Sequence, residues 1–230
     1  MPAVVIDAAQ LAQFGQAWQA NGQNLSRTPP YSSGQLGELF DQAVGVALSA
    51  MLGNGPPTRV KSSALNPPSP DCVEVGPVRI IGGIRPQNFD VGYRPDGVRI
   101  AFDSKTLNDR KSIQKNYQNM INDLATEASS VHSRFPYAVV AFMVIVPSPC
   151  LAGRQRSALI GTLERLAKRE MTNDPAHLAE VISLVVWDPA TGTIDDGIPA
   201  HDSSTRLERF SSSLERIYLA RYSGMDPHSD

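Results

Sequence analysis

The stretch Tyr137–Val146, YAVVAFMVIV, limits what this 230-residue chain can become more than any other. Every position is apolar, so neither face of an extended segment built from it can meet water. Its ten residues are about half of the ~20 that a membrane-spanning helix needs. The expected structure is a buried strand inside a sheet that is covered on both faces. Val181–Trp187, closed by Asp188-Pro189, is a second run of the same kind.

Helical segments must supply the covers. Leu36, Leu39, Phe40, Ala43, Val44, Ala47, Leu48, Met51 and Leu52 recur at helical spacing, and Gly53, Gly55, Pro56 and Pro57 stop the pattern. A rougher pattern over 5–20 carries Ile6, Leu11, Phe14 and Trp18. Asn108 can cap a helix running to about Ser129, with Ile113, Tyr117, Ile121 and Leu124 on one face. Further helices are expected over 155–171 and 204–222, with a frayed tail from Gly224. The stretch 53–70, with Pro56, Pro57, Pro67, Pro68 and Pro70, reads as a loop that could reach a ligand. Cys72–Ile81 reads as a strand.

Between the first strand and the helix at Asn108 lies Phe89–Lys105, FDVGYRPDGVRIAFDSK. Two alternating runs flank Arg94-Pro95-Asp96-Gly97, a turn in which Pro presets φ and Gly tolerates φ > 0. With Tyr93 opposite Val98, Asp90 lies opposite Ala101 and Asn88 opposite Asp103. Asp90, Asp103 and Lys105 then project from one face. Two carboxylates and a lysine on one hairpin face outline a metal site. Elsewhere on a sheet edge, the string Asp-x-Lys is plain solvated charge.

The spacing of Asp90 and Asp103-Ser104-Lys105 on a hairpin resembles the motif of the PD-(D/E)XK nucleases. The order of elements around it, over about residues 34–147, resembles that superfamily's core. The resemblance implies an α/β fold: a restriction-endonuclease-like mixed sheet flanked by helices (αβββαβ). A single domain over 1–230 is expected, with a C-terminal α/β extension at about 151–222. By position, Asp90 and Asp103 would ligate Mg²⁺, the Ser104 carbonyl would add a ligand, and Lys105 would position or activate the attacking water. Glu38, on the preceding helix, matches the acid that often joins such sites. Phe89 stands where the motif has Pro. The literal Pro95-Asp96 falls at the turn tip, and a different turn register would put Asp96 in the place of Asp90.

The implied activity is Mg²⁺-dependent hydrolysis of phosphodiester bonds, most like that of a type II restriction endonuclease cutting double-stranded DNA as a homodimer. A repair, mobile-element or RNA-processing nuclease with the same site, or a non-catalytic α/β binding module, are the alternatives. The net charge of −2 provides no global basic field, so a nucleic acid would have to be held by a local patch. Arg110, Lys111, Gln114, Lys115, Asn116, Gln118 and Asn119, then Arg154-Gln155-Arg156 and Lys168-Arg169, are candidate phosphate contacts or simply solvated surface.

Four histidines, His132, His177, His201 and His228, show no ligand spacing, which argues against zinc. Cys72 and Cys150 suggest packing rather than a disulfide framework. The first residues lack a basic n-region and carry Asp7 within their apolar run, so a cytoplasmic protein without a membrane partner is expected.

Overall fold

The structure, a computed structural model, describes residues 1–25, 28–151 and 153–225. His228, the tail beyond Met225 and the side chain of Gln114 lie outside the described residues.

The run that constrains the fold becomes β5 (Val139–Pro147), whose nine residues are all buried. It is hydrogen-bonded on both sides in one six-stranded sheet, ordered β1 (Thr58–Arg59), β2 (Val73–Ile81), β3 (Pro86–Tyr93), β4 (Ile100–Thr106), β5 and β6 (Val181–Trp187). The β2–β3–β4 meander is antiparallel, while β4, β5 and β6 run parallel. Parallel neighbours need crossovers, and helices supply them. α3 (Ile113–His132) leads from β4 to β5, and α4 (Arg154–Leu166) from β5 to β6. The 151–222 segment therefore extends the same sheet.

Helices cover both faces. α2 (Ser33–Met51) packs on β2, β3 and β4, and α5 (Leu207–Tyr222) on β5 and β6. Phe102 of β4 stacks edge-on against Phe210 of α5 at 5.9 Å, so even-numbered β4 residues face this layer. Odd-numbered ones face the layer of α3, with α4 beside it. α2 starts at a capping box in which the Ser32 hydroxyl accepts from Gln35 N–H and the Gln35 side chain returns to Ser32 N–H. Asp7 caps α1 (Ala8–Ala20) by accepting from Ala9 N–H at 2.8 Å.

Three local expectations are corrected. Asn108 caps no helix: its Oδ1 accepts from Leu25 N–H and its Nδ2 donates to Ser33 Oγ at 2.8 Å, so α3 begins five residues later. The Pro-rich 53–70 stretch is not all loop, because Thr58 and Arg59 pair in parallel with Glu74 and Val75. The hairpin register also differs. Tyr93 pairs with Ile100 and not Val98, which makes the connection six residues long, Arg94 to Arg99. Each end of that connection has its own partner. Arg94 forms a buried two-pronged pair with Glu74 (2.7 and 2.8 Å) and donates to the Leu65 carbonyl, while Arg99 grips Asp96 at 2.6 and 2.8 Å.

Candidate active site

A register error of two residues leaves every side chain on its own face, since strand parity is two. What changes is the neighbour. The observed pairs Val91–Phe102, Gly92–Ala101 and Tyr93–Ile100 continue along the strands to Asp90 and Asp103, where Ala101 was expected opposite Asp90. The ladder itself stops at Val91–Phe102, and β3 and β4 part beyond it. Ser104 N–H, which a further ladder bond would have used, donates instead to Asp90 Oδ2 at 3.0 Å, and Ser104 Oγ does so at 3.2 Å. Asp90 thus sits in the opening between the strands, within hydrogen-bonding reach of Asp103. Asp96 stays at the turn tip, paired with Arg99, and takes no part.

On the α3 side, Lys105 Nζ donates to Asp103 Oδ2 at 2.5 Å and to Glu127 Oε1 at 2.9 Å. On the α2 side, Asp41 adjoins Asp90 and Ser104. Gly37 eases this close docking, because a Cβ there would lie 3.0 Å from Ser104 Oγ and the hydroxyl would have to give way. Asp41 is 6% exposed, and its Oδ1 is buried without a hydrogen-bond partner. Glu127 Oε2 is likewise buried and unpartnered.

The electrostatics follow from crowding several carboxyls around one ammonium. Burial, the hydrogen bond shared with Asp103 and the charge of Asp103 push the Asp90 carboxyl up to about 8. Burial raises Asp103 to about 6, against the opposing pull of its bonds to Asp90 and Lys105. Burial and the charge of Asp90 also raise Asp41 well above the ordinary carboxylate range. Burial disfavours the Lys105 ammonium, but Asp103 and Glu127 outweigh it and hold its proton more firmly than in water.

Of the residues singled out in the sequence, Asp90, Asp103, Ser104 and Lys105 are brought together. Glu38 hydrogen-bonds none of these groups. It lines the same cavity of about 400 Å³ as Asp41 and Asp90, its charge adds to the rise of Asp41, and its carboxylate pairs with Arg59 at 2.8 Å. The acid that α2 places against Asp90 is Asp41, one turn further on. Asp41 and Glu127 escaped the sequence reading. Asp41 left a signal, an acid beside Phe40 within an apolar stripe. Glu127 left none, because an acid on a polar helix looks the same whether or not a lysine meets it.

The other candidates are scattered. Arg110 donates to Gln23 Oε1, and with Lys111, Lys115 and Gln155 it lines a separate cavity of about 550 Å³. Arg169 is no surface residue: it is 2% exposed and, with His132 and Arg221, surrounds the buried Glu180. Cys72 and Cys150 are free thiols.

Asp90 and Asp103 bring together the oxygen donors that a hard cation prefers. Among the described residues, no group of three or more carboxylate, imidazole or thiolate side chains is placed to hold a metal ion. Mg²⁺, however, takes one or two carboxylates and keeps several waters. Asp90 and Asp103 supply that number, with buried unpartnered oxygen on Asp41 alongside. No helix among the described residues is long and apolar enough to cross a membrane. Compared with known protein families, with characterised proteins and with solved structures, the chain matches none.

Proposed function

We propose that this chain is a Mg²⁺-dependent nuclease of the PD-(D/E)XK kind, hydrolysing phosphodiester bonds in double-stranded DNA. One observation carries the reading: Asp90 and Asp103 meet at the splayed end of a hairpin, with Lys105 beside them. The order α2, β2, β3, β4, α3, β5 supports the reading, since the resemblance implies a helix, three strands, a helix and a strand.

Asp90 and Asp103 would hold the metal, with the Ser104 carbonyl as a further oxygen donor and Asp41 beside Asp90. Mg²⁺ bound there would supply charge stabilisation for the phosphoryl group and a more acidic water. The residues of the chain supply the rest. Ser104, through its N–H and hydroxyl, fixes the Asp90 carboxylate in the strand opening. Lys105 carries a firmly held proton and so acts as a donor and point charge towards a phosphate oxygen or the attacking water. Glu127 steadies the ammonium.

The narrower form of the proposal is a type II restriction endonuclease acting as a homodimer, since a two-fold enzyme matches a palindromic site. Incubating plasmid DNA with the protein, with Mg²⁺ or with EDTA, tests both levels. Discrete metal-dependent fragments support the narrower form, a smear supports a less specific nuclease, and cleavage of RNA alone would move the substrate class. Lack of cleavage on every nucleic acid favours an α/β binding module in which the ion pairs of Lys105 are purely structural.

A further inference from the structure

The cavity beside the acid cluster is walled by both signs of charge. The buried Asp41 and half-buried Asp90 line it together with the exposed Glu38, Arg59, Lys61 and Asn88. The two cations come from β1 and the residues just after it, which lie against a bulge in β2 where the register slips between Val75 and Val78. Bulges commonly re-aim a strand beside a functional site. The bulge brings Gly76 so close to this segment that a Cβ there would stand 2.2 Å from the Val60 carbonyl oxygen, and Gly76 itself has φ +127°. Val60 N–H is tied to the Val75 carbonyl at 2.8 Å. The arm carrying Arg59 and Lys61 is therefore seated firmly next to Asp90.

Among the described residues Arg59 has one ionic partner, Glu38 at 2.8 Å, and both side chains are largely exposed, at 66% and 58%. Lys61 is exposed and has no ion-pair partner among the described residues. An exposed ion pair of this kind is weak and is readily exchanged for another anion. Arginine is also the side chain best suited to a phosphate, which it can grip with two parallel N–H donors.

We propose that Arg59 and Lys61 form the seat for a backbone phosphate of the substrate strand next to the scissile position, and that Glu38 is the counter-ion this phosphate displaces. The inference rests on the nuclease reading and deepens it. Glu38 then acts on substrate binding and not as a metal ligand, and its removal has the opposite sign to that of Arg59. Freed from competition, Arg59 should bind nucleic acid a few-fold more tightly, about fivefold at most given the weakness of exposed pairs.

The test is equilibrium binding of a short fluorescein-labelled DNA duplex in EDTA, so that no cleavage intrudes, titrated over a range of salt. Arg59→Ala and Lys61→Ala should each weaken binding and each reduce the slope of log K against log salt by about 0.9. Glu38→Gln should tighten binding two- to fivefold, and the double variant Glu38→Gln/Arg59→Ala should lose that gain. All three positions are exposed, so circular dichroism and thermal melts are expected to match the parent. Unchanged slopes in the arginine and lysine variants overturn the proposal, as does unchanged or weaker binding by Glu38→Gln. If the parent cleaves DNA in Mg²⁺ while these variants behave like it, only this inference falls. If the parent neither binds nor cleaves any nucleic acid, the nuclease reading falls with it.

Discussion

Asp90→Asn should stabilise the metal-free protein at neutral and alkaline pH. The Asp90 carboxyl holds its proton up to about 8, against an ordinary 3.8, because burial and Asp103 disfavour its charge. Between those values the folded chain binds more protons than the unfolded chain, so stability falls as pH rises through this window. Below it the carboxyl is protonated in both states and carries no penalty. The interval is about four pH units, and at roughly 1.4 kcal/mol per unit the full penalty is on the order of 5 kcal/mol. Water entry and adjustment of the neighbouring Asp103 and Lys105 relieve part of this, so about 2–3 kcal/mol is expected near pH 8. Asparagine keeps the bonds that matter. Its carbonyl oxygen can still accept from Ser104 N–H and Oγ, and its amide can donate towards Asp103. In a chain of this size the gain corresponds to a rise in melting temperature of about 5–10 °C. Thermal melts of both proteins in EDTA, from pH 3 to pH 9, measure it. The difference should be absent near pH 3 and grow through the window. A variant equal to or less stable than the parent at pH 8 would refute the picture of an overcrowded carboxylate cluster.

Arg94→Ala should cost about 3–5 kcal/mol, because it strands the Glu74 carboxylate, itself 1% exposed, without its partner; urea unfolding measures the loss. Gly76→Ala should push the Val60 carbonyl away from the bulge, and amide exchange at Val60 N–H should accelerate markedly while β5 keeps its protection. Glu127→Gln keeps an oxygen for Lys105 but removes a charge, so cleavage should fall several-fold while duplex affinity in EDTA holds; a loss of affinity instead would place Glu127 in substrate binding.

Much of the architecture is legible in residue pattern because burial on both faces leaves a strong mark. β5 and β6 are continuous apolar runs, and α2 carries an unbroken helical stripe between a capping box and a Gly-Pro stop. The elements that misled are those decided by distant partners. Asn108 has the chemistry of a cap, but Leu25 and Ser33 use its side chain, so α3 starts later. Arg94 reads as a turn residue and Arg99 as part of the second strand, yet Arg94 is drawn to the distant Glu74 while Arg99 folds back on Asp96 within the turn, and the connection is longer by two. The same-face placement of Asp90 and Asp103 survived because the shift was even. The site was legible only where it is local. Asp103, Ser104 and Lys105 are consecutive and Asp90 is one hairpin away, whereas Asp41 and Glu127 reach the cluster through the packing of α2 and α3, which no short window of sequence contains.

On the proposed reading, Asp90, Asp103 and Lys105 hydrolyse phosphodiester bonds with Mg²⁺. Cleavage of duplex DNA by the parent and by Lys105→Ala, each with Mg²⁺ and with EDTA, tests it most directly. The expected result is discrete fragments that require the metal, with the rate reduced about 10²–10³-fold by loss of the lysine. Cleavage that persists in EDTA, or that Lys105→Ala leaves unchanged, or no cleavage of any nucleic acid, would contradict it.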